Sequence, residues 1–264
     1  MDERIPTAVA AARWDDNVFR GFSVRDDLAG RIDAWSAISL AVGHRRLTQE
    51  EAAVLDDIVV CALAADPRIW PLKIVRLLSS YGHATAGTVA GIYCTEAARI
   101  GWRAYFIAAE FLEELATCTD AAAREAELTA RLQRKENLPG YGVAHRRRDE
   151  RAAALRECLK HKGRTTGLYW RLAGEIETLL APKGIFINMG AAGAAAMLDL
   201  GFSPKQLLAL GPYLVYANYL ANAVEGADQA SEVHRRLPSH TIKDESPSLR
   251  RSPRALASAK PRQT

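Results

Sequence analysis

Apolar residues in this chain recur at intervals of three and four rather than in strict alternation, and that period restricts the chain to packed helices. Thr48-Gln49-Glu50-Glu51 places a hydroxyl at an N-cap and a carboxylate three residues on, so that each satisfies a backbone donor the first helical turn leaves orphaned. Leu55, Ile58, Val59, Ala62 and Leu63 follow at helical spacing until Asp66-Pro67 stops the run. Pro71 opens the next helix, with Leu72, Val75 and Leu78 on one face, and Gly82 interrupts it. The small-residue stretch from Ala84 to Ala98, with Gly87 and Gly91, predicts a buried helix that its neighbours approach closely. Tyr105, Phe106, Ala109 and Leu112 mark another apolar face; helices are predicted over 121–137, 151–162 and 166–180. Ser203-Pro204 supplies an N-cap and a proline at the first helical position, and starts the apolar run Leu207 to Val224. Trp70, Trp102 and Trp170 read as packing anchors. The strand-like trio Ile185-Phe186-Ile187 is too short to build a sheet, and no Asn-Gly or Asp-Gly hairpin signal occurs. The expected fold class is all-α.

A chain of 264 residues with 48% apolar and 25% charged types has an ordinary globular composition, enough for one large domain or two small ones. Its charge is unevenly placed. From Val233 onward, six arginines and two lysines against Asp244 and Glu245 give +6, which leaves −2 on residues 1–232. That tail, 233–264, also holds four prolines and five serines with little to bury, and is expected to be disordered. A body without a basic stripe argues against nucleic-acid binding. Cys61, Cys94, Cys118 and Cys158 form no Cys-x-x-Cys pair and read as small hydrophobes in a reducing compartment. The acidic opening Met1-Asp2-Glu3-Arg4 does not resemble a targeting signal, and no uncharged apolar stretch of the ~18 residues a membrane span needs is expected. The chain is therefore expected to be cytoplasmic.

Several motifs fail. The glycines around Gly190 and Gly193 do not form Gly-x-Gly-x-x-Gly, and there is neither a phosphate-binding Walker loop nor His-Glu-x-x-His. His44, His83, His145 and His161 lack metal-ligand spacing with a nearby carboxylate, while His234 and His240 fall in the tail. No metal, nicotinamide or flavin is expected.

A set of segments, in order, resembles the citrate synthase family, especially its short citryl-CoA lyase type. They are Arg20-Gly21-Phe22-Ser23-Val24-Arg25-Asp26-Asp27-Leu28-Ala29-Gly30, the helix start Leu47-Thr48-Gln49-Glu50-Glu51-Ala52 and the loop Leu138-Pro139-Gly140-Tyr141-Gly142. Asp149-Glu150-Arg151, the stretch from Asn188 to Gly201, and Ala221-Asn222-Ala223-Val224-Glu225 complete the series, which covers roughly residues 17–226. The resemblance implies a larger helical domain (1–100 and 200–232) interrupted by a smaller one (101–199), an active site between them, and a homodimer. It also implies coenzyme A thioester as substrate or ligand, with a small carboxylate as the other ligand.

Enzymes of that family make or break a carbon–carbon bond beside the thioester. An aspartate takes the α-proton, one histidine steadies the enolate, a second polarises a keto group, and arginines hold carboxylates; each role needs a titratable or charged side chain. Here Val143 stands at the histidine position after the loop, and Gly190 at the aspartate position. Arg99-Ile100-Gly101-Trp102-Arg103 contains no histidine, Asn222 replaces another, and Val215 stands where an arginine is expected.

What remains is CoA recognition and possible replacements. Arg146, Arg147, Arg148 and Arg151, with Gly140 and Gly142 of the loop, are candidates to meet CoA phosphates; the arginines read equally as a solvated basic turn, with Arg151 paired to Asp149. His145, two residues past Val143, and His83 are candidate catalytic imidazoles or ordinary hydrogen-bonded histidines. Glu96 is a candidate base or a paired surface carboxylate. Asn188 and Asn222 are candidate substrate-binding amides, and Asn188 also reads as a helix cap. Two functions follow: acyl-CoA carbon–carbon bond chemistry by an altered site, or a non-catalytic relative acting as a binding or partner subunit.

Overall fold

Ten α-helices among the described residues carry the structure, a computed structural model that describes residues 5–97, 100–118, 120–143, 147–231, 239–241 and 243. They are α1 (Ala34–Ala41), α2 (Gln49–Cys61), α3 (Trp70–Ser79), α4 (Ala84–Ala97), α5 (Trp102–Thr117), α6 (Ala121–Gln133), α7 (Glu150–His161), α8 (Leu168–Leu180), α9 (Met189–Asp199) and α10 (Pro204–Ala227). The all-α expectation holds, and the stop signals at Asp66-Pro67, Gly82 and Gly163 fall just beyond helix ends. Most of the basic tail lies outside the described residues.

One element departs from the sequence reading. Ala10–Ala12 (β1), Asn17–Phe19 (β2) and Phe22–Ser23 (β3) form a small antiparallel sheet, with Ala10 opposite Phe19 and Phe19 opposite Phe22. Its tight turn is Arg20-Gly21, both residues at positive φ (51° and 87°), the conformation that two-residue hairpins favour. Arginine is an uncommon residue there, so the turn left no Asn-Gly signature. The Arg20 guanidinium donates to the Ala41 carbonyl at 2.9 Å and pins the hairpin to the end of α1. Ile185-Phe186-Ile187 forms no strand; Ile187 makes an isolated bridge to Tyr141.

The core is built on α10, which packs on α3, α4 and α5; α5 in turn packs on α9, and α9 on α8. Every residue from Met189 to Leu198 is buried, as expected of a helix that is apolar all round. Close approach depends on missing side chains. At Gly211 a Cβ would stand 2.4 Å from three atoms of the buried Trp102, so α5 sits directly against α10. Trp102 is thus the anchor the sequence suggested, whereas Trp70 is half exposed. The expectation of no long uncharged apolar stretch is corrected: α10 is long and apolar enough to cross a membrane, with a mean hydropathy of 1.2, but half of that window is buried in the protein core. All four cysteines are free and partly buried, and burial pushes the Cys61 thiol up to about 11.

The predicted capping box at Thr48 forms, and it carries a second load. Glu51 accepts from the Thr48 backbone at 2.9 Å and takes a two-point bond from Arg45 at 2.7 and 2.6 Å. That guanidinium holds the carboxyl at about 2, below its ordinary 4.5. A carboxyl lowered on folding adds stability above its unfolded value and loses it as pH falls through the folded one. The urea midpoint should therefore drop between pH 4.5 and about 2, and Glu51→Gln should flatten that drop. Two glycine substitutions test the packing. Gly211→Ala should cost about 1–3 kcal/mol in urea unfolding through overpacking against Trp102. Gly174→Ala, inside α8 with nothing within 4 Å of a new Cβ, should stabilise by about 0.5–1 kcal/mol.

Candidate functional site

The loop Leu138-Pro139-Gly140-Tyr141-Gly142 is zipped to the segment before α9. Gly142 donates to the Phe186 carbonyl at 2.8 Å, and Asn188 donates to the Gly140 carbonyl at 2.9 Å. Gly140, at φ +85°, lies so near α9 that a Cβ would come within 2.3 Å of the Ala191 methyl. The Tyr141 hydroxyl donates to the Ala173 carbonyl at 3.0 Å and fixes the loop to α8. The Asn188 amide finishes the joint: Oδ1 accepts from the Gly190 N–H and Nδ2 donates to the Gly142 carbonyl, each at 2.8 Å.

A single buried carboxylate gathers the neighbouring elements. Asp149 caps α7 by accepting from the Arg151 N–H at 3.1 Å, and it takes the Arg151 guanidinium at 2.8 and 2.9 Å. Its second oxygen accepts the Met189 N–H, at the start of α9, at 2.9 Å. Burial works to raise this carboxyl, but the guanidinium and the two backbone donors outweigh it and hold it below the ordinary range.

These groups border a cavity of about 540 Å³ among α3, α4, α5, α9 and α10. Its walls are largely apolar, with Ile69, Leu72, Ile100, Val143, Met189 and Val215 among them. Several of the polar members are paired with the protein. Thr95 and Tyr219 share a hydroxyl bond of 2.5 Å; because Thr95 donates to the Gly91 carbonyl at 2.8 Å, Tyr219 is the donor of the pair. Asn218 accepts from the Ala64 N–H at 2.9 Å and donates to the Ala62 carbonyl at 3.3 Å. Tyr105 also lines the cavity, and burial pushes its phenol well above the ordinary range.

All but one of the places singled out for missing catalytic groups converge here, the exception being Asn222. Gly101, Val143, Gly190 and Val215 all line this cavity, and none offers a proton-handling side chain. Two have no room for one. Gly101 sits at φ +59°, and a Cβ there would stand 2.8 Å from the Thr95 methyl. A Cβ on Gly190 would press to 2.9 Å on the Asn188 oxygen that caps α9.

Of the candidate residues, Gly142, Arg151 and Asn188 line the cavity, and Gly140 supports it from behind. Arg147 and Arg148 are exposed, with the Arg148 guanidinium 4.0 Å over the Phe186 ring. His145 and Arg146 lie outside the described residues. The other three stand apart from the cavity lining. His83 is exposed just before α4, and Glu96 is exposed 3.7 Å from Arg103. Asn222 is buried, with its amide donating to the Ala65 and Asn218 carbonyls at 2.9 Å. No group of three or more potential metal ligands occurs among the described residues. Sequence reasoning did not pick out Thr95, Tyr105, Asn218 or Tyr219, because at helical spacing a residue facing a cavity has the same pattern as one facing the core.

No protein-family model and no curated protein matches the sequence. Solved structures do match. Citryl-CoA lyase from Hydrogenobacter thermophilus has a TM-score of 0.77 at 20% identity over 96% of this chain and 99% of that one. ATP citrate lyase from Methanosaeta concilii, solved with (3S)-citryl-CoA, has a TM-score of 0.70 at 16% identity over 94% of this chain and 43% of that one. Citrate synthase from Thermotoga maritima MSB8 has a TM-score of 0.62 at 17% identity, covering 80% of this chain and 57% of that chain. The chain therefore has the citrate synthase fold, and shares it along nearly the full length of a citryl-CoA lyase.

Proposed function

We propose that this protein binds an acyl-CoA thioester in the cavity among α3, α4, α5, α9 and α10, and makes or breaks a carbon–carbon bond beside the thioester through an altered site. The carrying observation is convergence. Of the five places read from the sequence as those of catalytic groups, Val143, Gly190, Val215 and the segment holding Gly101 line one cavity of ligand size, and Asn222 stands outside it. Similar structures solved with citryl-CoA or with citrate and coenzyme A support the choice of ligand. Arg147 and Arg148 are exposed beyond the loop and are assigned to CoA phosphates together with Arg146, while His145, two positions after Val143 in the sequence, is assigned the lost imidazole.

One observation favours a second reading, in which the protein holds the thioester without turning it over. Asp149 is the carboxylate of the lining, and it already accepts from Arg151 and Met189. A carboxyl held below its ordinary range is a poor acceptor for an α-proton. Tyr105 and Tyr219 remain protonated at neutral pH, since burial raises both phenols. The Tyr105 hydroxyl can donate a hydrogen bond to a carbonyl, the Tyr219 hydroxyl is already given to Thr95, and neither acts as a base.

Free CoA release from citryl-CoA, and from acetyl-CoA with oxaloacetate, separates the two. Turnover that His145→Ala abolishes while CoA still raises the melting temperature supports the enzyme. No turnover with a CoA-dependent rise supports the binding subunit. No turnover and no rise would remove any thioester role.

We also propose a cytoplasmic homodimer. Tyr213, Tyr216, Leu220 and Val224 are 45–56% exposed along one stripe of α10, next to the exposed Val89 and Tyr93 of α4. A stripe of that kind on a folded surface suits a self-complementary contact. Light scattering should give twice the mass of the chain, and Tyr216→Glu with Leu220→Glu should reduce it to one.

A further inference from the structure

We infer that the acyl part of the ligand is an apolar chain rather than a di- or tricarboxylate. The inference deepens the thioester reading above and rests on it for the CoA moiety alone; the argument about the acyl group comes from the cavity wall.

A carboxylate moved from water into a pocket needs a cation and hydrogen-bond donors that are not already engaged, or its desolvation goes uncompensated. Among the described lining residues the one cation is Arg151, and its Nε and one Nη donate to Asp149 at 2.8 and 2.9 Å, so the two charges cancel. The wall is neutral as a result. Asn188 and Asn218 each give one amide N–H to the Gly142 and Ala62 carbonyls and the Tyr219 hydroxyl goes to Thr95, so the donors that remain are uncharged amide and phenol groups. Citrate, with three carboxylates, would find no free counter-charge among the described lining residues.

The same wall suits methylene groups. Ile69, Leu72, Ile100, Val143, Met189 and Val215 present aliphatic or thioether surface, and about 540 Å³ is far more room than a two-carbon acyl group fills. Val143 and Val215 enlarge this surface where the sequence resemblance expects an imidazole and a guanidinium. The substitutions thus replace groups that would hold charge with groups that favour hydrocarbon. Each methylene withdrawn from water into such a wall should tighten binding about fourfold until the cavity is full.

The test is calorimetric titration of the full chain with CoA and with acetyl-, butyryl-, hexanoyl- and octanoyl-CoA, alongside citrate, oxaloacetate and octanamide. The expected result is a dissociation constant that falls about fourfold per methylene along the series. The binding heat capacity should grow more negative with chain length. Val143→Glu should remove that dependence. A flat series with CoA itself bound would overturn the inference and leave the thioester reading intact. So would citrate or oxaloacetate binding more tightly than octanoyl-CoA. A chain-length gain that persists in Val143→Glu would also overturn it, because the gain would then arise elsewhere on the surface. If octanamide binds while CoA and all its thioesters do not, the apolar cavity stands and the thioester reading falls.

Discussion

One buried carboxylate organises the region where function would reside. Asp149 caps α7, neutralises Arg151 and receives the first N–H of α9, so two chain segments distant in sequence meet at two oxygen atoms. A charge this deep is tolerated only because each lone pair is matched by a donor, and the matching fixes the relative placement of the elements. The loop at Gly140–Gly142 is held to the same helix start through Asn188. The joint is rigid for the same reason that it is chemically quiet: its polar atoms are already engaged.

That quietness extends around the cavity. In a catalytic cleft of this fold class, charge and titratable groups would face the reacting carbon. Here the charged pair is closed on itself, the amides brace backbone, and the hydroxyl of Tyr219 meets Thr95. A ligand of the kind proposed would be selected there by shape and by the removal of hydrocarbon from water. Affinity from burial of this kind distinguishes long from short, and apolar from charged, better than it distinguishes one apolar group from another.

Much of the scaffold could be read before the structure was in hand, because caps and prolines act locally. Thr48 with Glu51, and Ser203 with Pro204, state where a helix starts whatever packs against it later. The hairpin at Arg20-Gly21 escaped because its left-handed turn begins on an arginine that the hydrogen bond to Ala41 holds in place, a long-range contact with no local signature. The apolar run Leu207 to Val224 falls within α10, and what its composition alone does not tell is that packing makes it a core helix. The site was legible in part through its losses: Val143, Gly190, Val215 and the segment holding Gly101, picked out by resemblance, line one cavity, whereas Asn222, picked out in the same way, does not. Its remaining polar residues were not, since Thr95 and Tyr219 lie 124 positions apart and become partners only when α4 meets α10.

The bend at residue 101 makes the present state hard to leave. Its dihedral angle belongs to glycine, and the neighbouring threonine methyl occupies the volume a larger residue would enter. A side chain placed at this corner would meet backbone strain and the threonine together. The turn that joins α4 to α5 would have to be rebuilt before any imidazole could stand there, so the hinge of the two helices, and not the chemistry of one residue, sets what this corner of the chamber can carry.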